Sequence, residues 1–269
     1  MKALCERNGV TRAGFYAWVA RRPSRHARVD ERLSVRIRKV FEASEGTYGS
    51  PRIHAVLLQA GLRLARKRVA RLMREASLKA RSARLYRRIP GTRHFFTAIP
   101  NRVLHLQTTA ADQIWVGDVT YLRSADHWRY LAVVMDRHSR RILGWALGAR
   151  RDLSLTLAAL NRALLRRRPT TELVFHSDRG VEYSAYAYRA RLAALDITQS
   201  MKRPRELGDN AFIESFFHSM KADVIHGRRF ADDHALLAVV ATYIRRYNRC
   251  RLHSSLGYRP PIDYERRAA

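Results

Sequence analysis

The spacing of hydrophobic residues predicts helices over roughly the first eighty positions of the chain. In residues 1–25, Gly9 breaks the pattern and Thr11 stands where the following helix needs an N-cap. In residues 26–80, a helix ending near Ala43 is followed by the turn EGTYGSPRI and by further amphipathic segments. The first unit therefore has the form of half a helix-turn-helix, and the second has the form of a basic helix-turn-helix domain.

The pattern changes beyond residue 80. Residues 81–108 show little periodicity and contain Pro90, Gly91 and Pro100, which predicts a basic linker. After the linker, three short runs are rich in aromatic and β-branched residues: DQIWVGDVTYL, WRYLAVVMDR and RILGWALGA. Polar breaks separate these runs, so they predict three strands of an antiparallel meander.

The elements after the meander predict the fold class. LSLTLAALNRALLRR indicates an amphipathic helix, ELVFHSD a short strand, the residues from about Ala185 to Leu195 a second helix, and ITQS an edge strand. This order is that of a ribonuclease H-like α/β domain, a mixed sheet with helices on both faces. We assign it to residues 109–225 and predict that residues 226–269 form a C-terminal helical extension of this core.

The stretch GDNAFIESFFHSMKAD predicts a further amphipathic helix with one buried face. Asp209 or Asn210 is expected to cap its first turn through a side-chain oxygen. At about 100° per residue, Asn210, Glu214 and Lys221 share a stripe beside the apolar face. The simplest interpretation of this stripe is a solvated charge pair between Glu214 and Lys221. A different role for Glu214 is favoured only by residues elsewhere in the chain.

Composition narrows the class of partner. The 269 residues include 52 Lys and Arg against 23 Asp and Glu, a formal net charge of +29. A soluble protein tolerates this self-repulsion most readily with a polyanion, so nucleic acid is the leading candidate, and a protein that only coats nucleic acid fits equally well. The sequence shows no membrane span, secretory signal or cysteine-based metal motif, which predicts a cytoplasmic protein without a membrane partner.

Three carboxylates are candidates for metal chemistry. Asp118 lies within the first predicted strand, Asp178 follows the fourth, and Glu214 comes from a helix that can pack on the same sheet. Three carboxylates can hold two Mg²⁺ or Mn²⁺ ions about 3.5–4 Å apart, an arrangement that activates an attacking oxygen and stabilises the leaving oxygen of a phosphodiester. Structural alternatives remain open, namely a backbone contact for Asp118 and a turn cap for Asp178.

Other polar residues near these strands are expected to have structural roles. Asp136 ends the second predicted strand and is expected to hold a turn. His176 and His253 are expected to make structural or phosphate contacts, because a magnesium site prefers oxygen ligands.

Five ordered motifs carry a family resemblance: WVGDVTYL, VVMDRHSRRILGW, VFHSDRGVEYSA, DNAFIESFFHSMK and YNRCRLHSSLGYRPP. Together they resemble the transposases of bacterial insertion sequences, whose DDE catalytic core is related to retroviral integrases. More narrowly, the chain is similar to the second-frame (OrfB-type) product of elements that encode the transposase in two overlapping frames. YGSPRIHAVLLQAGLRLARKRVARLMRE resembles the second helix-turn-helix of that group, so the likeness covers nearly the whole chain.

The resemblance implies a catalytic and metal-binding triad of Asp118, Asp178 and Glu214, with two Mg²⁺ ions as cofactor and Mn²⁺ as a substitute. It places Asn210 and Lys221 beside this triad. The implied reaction cleaves the ends of the element to expose 3′-OH groups, which then attack DNA by in-line transesterification without a covalent enzyme intermediate. Formation of a circular intermediate from the element is usual in this group.

The implied partners are the terminal repeats of the element, target DNA, further copies of the chain on DNA, and a first-frame transposase protein. The residues predicted to contact DNA are Arg66, Lys67, Arg68, Arg71, Arg74, Arg179, Asn210, Lys221, Arg251 and His253. Two departures from the family pattern stand out. Gly117 replaces a residue that is Thr or another polar type in many relatives, and KRPREL at 202–207 replaces a loop that is more often small and polar, which leaves the contacts to target DNA open.

Two other functions fit the sequence. A non-catalytic DNA-binding product that represses the full-length transposase would need only the basic helices. A hydrolytic nuclease of the same fold would use the same three acids with water as the nucleophile. Turnover and the identity of the products separate the three possibilities.

Overall fold

Helices account for most of residues 1–81, as the hydrophobic spacing predicts. The computed structural model describes residues 1–21, 24–81, 99–169, 172–204 and 209–268. The chain divides into two compact units, Met1–Arg81 and Ser82–Ala269. Most of the predicted linker, residues 82–98, lies outside the described residues.

The first unit is a small helical bundle. Its described helices are α1 (Lys2–Arg7), α2 (Arg12–Val19), α3 (Arg25–Ala43), α4 (Ser50–Gln59) and α5 (Arg66–Glu75). Thr11 caps α2 as predicted, since its hydroxyl accepts a hydrogen bond from the backbone N–H of Gly14 at 3.0 Å. α3, α4 and α5 pack on one another and bury Ile37, Ile53 and Val69 completely. A short loop joins α4 to α5. The basic helix α5 packs against the bundle through its apolar side, which carries its buried residues.

One mixed sheet organises the described part of the second unit. Its strands are β1 (Ile114–Ser124), β2 (His127–Asp136), β3 (Ile142–Gly148), β4 (Val174–Ser177) and β5 (Thr198–Met201). They lie in the order β3-β2-β1-β4-β5. β1, β2 and β3 are antiparallel, whereas β4 runs parallel to β1 and β5 parallel to β4. The predicted antiparallel meander and the predicted edge strand are therefore confirmed.

Helices surround this sheet. They are α6 (Leu153–Arg166), α7 (Val181–Ser184), α8 (Tyr186–Ala193), α9 (Ala211–Met220), α10 (Asp233–Arg249) and α11 (Pro261–Ala268). A π-helical turn, Lys221–Ile225, extends α9 directly. The predicted fold class is confirmed, since this is the ribonuclease H-like order of strands and helices. Within the described ranges, no helix is both long enough and apolar enough to cross a bilayer.

Hydrophobic cores cover both faces of the sheet. Alternation along β1 sends Val116 to one face and Trp115 to the other. The first core packs the meander against α9 and α10 and buries Phe216, while the second packs it against α6 and α8 and buries Leu160. α9 is thereby fixed over β1, which determines where its polar stripe points.

Segments on both sides of the predicted core domain also pack into it. Val103, within the predicted linker, is only 4% exposed and belongs to the first core. Asn101 donates a hydrogen bond from its side chain to Asp209 at 2.8 Å. In residues 226–269, α10 contributes Leu236, which is completely buried in the same core. The predicted boundaries at 108 and 225 thus fall inside one packed structure.

Gly144 is expected to be essential for the packing of α6 on β3. A Cβ atom at this position would lie 2.5 Å from the backbone nitrogen of Ala163 and closer still to the carbonyl oxygen of Ala159. Because backbone atoms cannot move aside, Gly144→Ala should lower the free energy of unfolding by about 1–3 kcal/mol in denaturant titrations. Gly148→Ala is the matched control on the same strand, since its Cβ would lie 3.0 Å from the flexible Leu155 side chain and 3.9 Å, an ordinary contact distance, from the Arg150 carbonyl oxygen. Equal stability of the two variants would contradict this account.

A buried ion pair fastens the π-helical turn to the C-terminal segment. Asp223 is 3% exposed and Arg251 is 7% exposed. One oxygen of Asp223 accepts hydrogen bonds from the Arg251 guanidinium and, at 3.0 Å, from the Tyr243 hydroxyl. The turn that carries Lys221 therefore depends on a charge pair shielded from water.

Candidate active site

Neighbouring parallel strands bring Asp118 and Asp178 together. Gly117 on β1 pairs with Ser177 on β4, so each aspartate is the next residue after a paired position. Adjacent strands lie about 4.8 Å apart, which leaves the two carboxylates within strong electrostatic reach of each other. Asp178 comes at the point where the chain leaves β4, the carboxyl end at which ligands gather in open sheets.

The proximity of Asp178 affects the pKa of Asp118. Burial, followed by the negative charge of Asp178, raises the pKa of Asp118 well above its ordinary value. The hydrogen bond that one of its oxygens accepts from the Val119 N–H, at 2.7 Å, opposes the shift only in part. Asp118 is therefore a carboxylate whose negative charge is unfavourable unless a cation lies close to it.

Asp178 is held by the turn that follows it. One of its oxygens accepts a hydrogen bond from the Gly180 N–H at 3.0 Å, so the turn-capping role foreseen for this residue is present. The other oxygen lies 3.6 Å from the Arg151 guanidinium. The cap fixes the carboxylate beside β1 and leaves its second oxygen directed to a positive charge.

Glu214 is exposed on α9 and lines a cleft with Asp118, Thr120 and Lys221. The cleft has a volume of about 560 Å³. Within the described ranges, no group of three or more His, Cys, Asp or Glu side chains is close enough to hold a metal ion. The structure thus brings Asp118 next to Asp178 and places Glu214 on a wall of the cleft that Asp118 also lines.

The predicted cap of α9 is correct in position but wrong in its hydrogen bond. Asn210 is the N-cap residue, yet its side chain makes no capping hydrogen bond. Asn210 is 2% exposed and packs against β1. Its amide NH₂ therefore donates to the Gly117 carbonyl, at 3.3 Å, and not to the helix backbone. Its Oδ1 is buried and has no hydrogen-bond partner among the described residues. Asp209 cannot replace it, since its carboxylate binds Arg203 and Asn101.

Lys221 does not pair with Glu214, so the solvated charge pair considered from the sequence is absent between these two described residues. The Lys221 ammonium instead lies 4.4 Å from the centre of the Tyr121 ring. Burial lowers the pKa of Lys221, and the negative charge of Asp118 opposes this effect. Lys221 thus brings a positive charge to the cleft that the two acids line.

Sequence reasoning missed Arg151 and Glu182. Glu182 is 2% exposed and accepts a hydrogen bond from Arg151 at 2.8 Å, while the same guanidinium faces Asp178. Within the part of the chain that the structure describes, the second carboxylate oxygen of Glu182 is buried and has no hydrogen-bond partner. Glu182 stands in the motif VFHSDRGVEYSA, which was a usable signal, but Arg151 follows β3 in a loop that has no local pattern of its own.

The predicted DNA contacts on α5 divide into two groups. Arg66, Lys67 and Arg74 are exposed. Arg68 and Arg71 both form ion pairs with Asp30, at 2.6 Å. The first group presents its charge to solvent, whereas the second group also serves the packing of α5 on α3.

The remaining predicted DNA contacts occupy varied environments. Arg179 donates to the backbone carbonyls of Ile99 and Lys202, at 2.9 and 2.8 Å. Arg251 is buried in its pair with Asp223, a position that favours a structural role. The ring of His253 packs edge to face on Tyr247, with 4.6 Å between the ring centres.

Asp136 and His176 have the structural roles expected of them. Asp136 is completely buried and accepts hydrogen bonds from the backbone N–H groups of Asp112 and Ser139, at 2.7 and 2.8 Å. His176 contacts the Ser200 hydroxyl at 2.9 Å, and burial lowers its pKa to about 4. Its ring is therefore neutral at pH 7.

The Gly117 departure has a steric cause. A Cβ atom at this position would lie 2.5 Å from the Phe175 ring and 3.4 Å from the Tyr183 hydroxyl. A larger residue at position 117 would therefore require the Phe175 ring to move or to be replaced. Of the unusual loop at 202–207, only Lys202, Arg203 and Pro204 are among the described residues. Arg203 binds Asp209 at 3.0 Å, immediately before α9.

Family models match three parts of the chain. An HTH-like domain matches residues 28–86, and integrase core domains match residues 108–206 and 195–261. The HTH-like match covers α3, α4 and α5, so the helix-turn-helix prediction is confirmed for this region. The integrase matches include Asp118, Asp178 and Glu214.

Retroviral integrases are among the solved structures to which the chain is similar. The catalytic core of HTLV-2 integrase in complex with magnesium, in a trimeric form, matches with a TM-score of 0.46 and 14% identity, covering 58% of this chain and 97% of that one. An intasome of simian T-cell lymphotropic virus matches with a TM-score of 0.49 and 15% identity, covering 84% of this chain and 73% of that one.

Curated relatives extend over almost the entire sequence. The insertion element IS600 31 kDa protein of Shigella sonnei is 35% identical over 97% of both chains. The transposase InsF of insertion sequence IS3A from Escherichia coli is 34% identical over 98% of this chain and 93% of its own. With this coverage, the helix-turn-helix unit and the integrase-type core both have counterparts in these relatives. The chain belongs to the IS3 family of insertion-sequence transposases.

Proposed function

We propose that this chain cleaves the ends of an insertion element and joins the resulting 3′-OH groups to DNA by metal-dependent phosphodiester transesterification. The observation that carries the proposal is the apposition of Asp118 and Asp178 on neighbouring strands, with Glu214 on the cleft that Asp118 lines. The curated relatives named as transposases of insertion sequences support the same reaction class.

The donor chemistry of these residues suits divalent magnesium, with manganese as a substitute. Asp118, Asp178 and Glu214 would hold the ions, since carboxylate oxygens are the ligands that Mg²⁺ prefers and a bound cation would offset the burial and the Asp178 charge that raise the pKa of Asp118. Two bound ions would supply activation of the attacking oxygen and stabilisation of the leaving oxygen.

The other side chains of the site position these acids and the DNA strand. Asn210 ties the start of α9 to the Gly117 carbonyl, so the helix bearing Glu214 is held beside the strand bearing Asp118. Arg151 links the buried Glu182 to Asp178 and restrains the loop after β4. Lys221 brings a positive charge to the cleft wall, where it can contact a phosphate of the strand.

DNA is the proposed partner of both units. The exposed cations of α5 would contact phosphates of the terminal repeats, because a basic helix after a short loop is suited to the major groove or its flanking phosphates. Further copies of the chain and a first-frame transposase protein are proposed to complete the assembly on DNA. A protein with these partners would act in the bacterial cytoplasm.

The test is a product analysis. The purified chain is incubated with labelled element-end DNA and Mg²⁺, with and without an added first-frame domain, and the products are separated by length. We expect strands cut at the element end together with longer joined strands. Cut strands without joined products would indicate a hydrolytic nuclease. DNA binding without any turnover, even with the added domain, would indicate a non-catalytic regulator and overturn the proposal.

A further inference from the structure

Two large aromatic side chains lie exposed next to each other on the β1–β2 hairpin. Tyr121 is 40% exposed and Trp128 is 51% exposed. Because Arg123 lies opposite Trp128, Tyr121 is the diagonal neighbour of Trp128 on the same face of the hairpin. The two ring centres are 5.2 Å apart and the ring planes meet at 83°, so the rings are packed edge to face.

Each of these rings carries a cation. The Lys221 ammonium is 4.4 Å from the centre of Tyr121, and the Arg123 guanidinium is 6.0 Å from the centre of Trp128. Arg123 also lies 3.7 Å from Asp126, whose side chain is 94% exposed, so solvent screens that ion pair. The surface is therefore aromatic and basic together, a combination that suits a polyanion with flat apolar groups.

Lys221 connects this surface to the cleft. Its side chain lines the cleft with Asp118 and Glu214, and its ammonium lies over Tyr121. A strand whose phosphates contact Lys221 from the cleft would meet Tyr121 next and Trp128 after it.

We propose that Tyr121 and Trp128 form a stacking platform for unpaired bases of the DNA strand held in the cleft, with Lys221 and Arg123 neutralising the neighbouring phosphates. The proposal rests on the proposed function, since it requires DNA in the cleft. Base pairs within a duplex are stacked on each other and offer no free face, so the ligand is a frayed or single-stranded end. Stacking on aromatic side chains tolerates any base, and the platform therefore binds unpaired DNA without reading its sequence.

The test measures binding of the full chain to labelled DNA by fluorescence anisotropy, without divalent metal so that no strand is cut. The probes are a duplex with a short single-stranded thymidine tail and the same duplex with an abasic tail, which keeps the phosphates and lacks the bases. We expect tighter binding of the thymidine tail, by about tenfold. Trp128→Ala should lose this preference, while Trp128→Phe should keep it.

Tyr186 provides the matched control, because it is an aromatic residue of the same unit that is 83% exposed and lies on α8, away from the hairpin. Tyr186→Ala should bind both probes as the wild type does. Equal binding of the two probes by the wild-type chain would overturn the platform, and this comparison needs no variant to fold. A preference for thymidine that survives in both Trp128→Ala and Tyr121→Ala would also overturn it.

The binding assay and the joining assay distinguish a failure of this proposal from a failure of the proposed function. A chain that joins strands but shows no preference for bases over abasic sites retains the function and lacks the platform. A chain that prefers bases but forms no joined product has the platform and lacks the function.

Discussion

Asp118→Asn is expected to abolish strand cleavage and joining while DNA binding is retained. The substitution removes the negative charge of one of the two acids proposed to hold the metal ions and keeps the size of the side chain. The loss of several kcal/mol of charge stabilisation in the transition state corresponds to a fall in rate of about a thousandfold. The measurement is the single-turnover rate of product formation on element-end DNA with Mg²⁺, alongside the affinity for the same DNA without metal.

The same substitution is expected to raise stability. Because burial and the charge of Asp178 disfavour the ionised form of Asp118, a neutral amide removes this penalty, and the free energy of unfolding should increase. Asp196→Asn is the matched control, since Asp196 is exposed and has a positive φ of 53° that Asn tolerates well. This control should react at the wild-type rate. Joining by Asp118→Asn at a rate near that of the control would exclude Asp118 from the catalytic machinery.

Asp223→Ala is expected to cause the largest loss of stability. It leaves the buried guanidinium of Arg251 without its carboxylate and removes the acceptor of the Tyr243 hydroxyl. Breaking a buried pair on one side costs about 3–5 kcal/mol, which denaturant titration of the full chain would detect. Since Asp223 lies in the turn that carries Lys221, DNA affinity should also fall at concentrations of denaturant that leave the wild-type chain folded.

Two further variants isolate the cause of this effect. Asp223→Ala combined with Arg251→Met removes the unpaired charge, and it should recover much of the lost stability. Asp233→Ala breaks the pair between Asp233 and Arg129, which are 2.8 Å apart, and should change stability far less because the Asp233 side chain is 53% exposed and solvent screens its charge. A single variant Asp223→Ala that is no less stable than Asp233→Ala would show that the buried pair contributes little.

Local periodicity accounts for what the sequence predicts about the fold. The alternation along β1 and the three-to-four residue spacing along α9 depend on which face each element buries, and this is decided by neighbouring residues of the chain. The position of Asp118 within a strand and of Glu214 on a helix could therefore be read directly. The register between β1 and β4 could not, because no local pattern states which residue of one parallel strand lies beside which residue of another.

Tertiary contacts explain the errors and omissions at the site. Asn210 has the residue type and position of a helix N-cap. Its side-chain amide donates to the Gly117 carbonyl, however, and does not bind the helix backbone. Lys221 has the spacing of a partner for Glu214, but the Tyr121 ring on the neighbouring strand binds its ammonium instead. Arg151 reaches Asp178 and Glu182 from a loop distant in sequence. In each case the deciding group belongs to another element.

The parallel pairing of β1 with β4 has a consequence for how this protein tolerates changes of length. The two strands bring Asp118 and Asp178 together by direct hydrogen bonding, so their relative position does not depend on how many residues connect them. Insertions in the β2–β3 turn or after α6 would lengthen the path between the two acids and leave their separation unchanged. Glu214 has no such protection, because packing and side-chain contacts such as that of Asn210, not strand pairing, hold α9 over the sheet. Changes of length before β4 therefore leave the pairing of Asp118 with Asp178 intact, whereas a change of length between β5 and α9 acts directly on the position of Glu214.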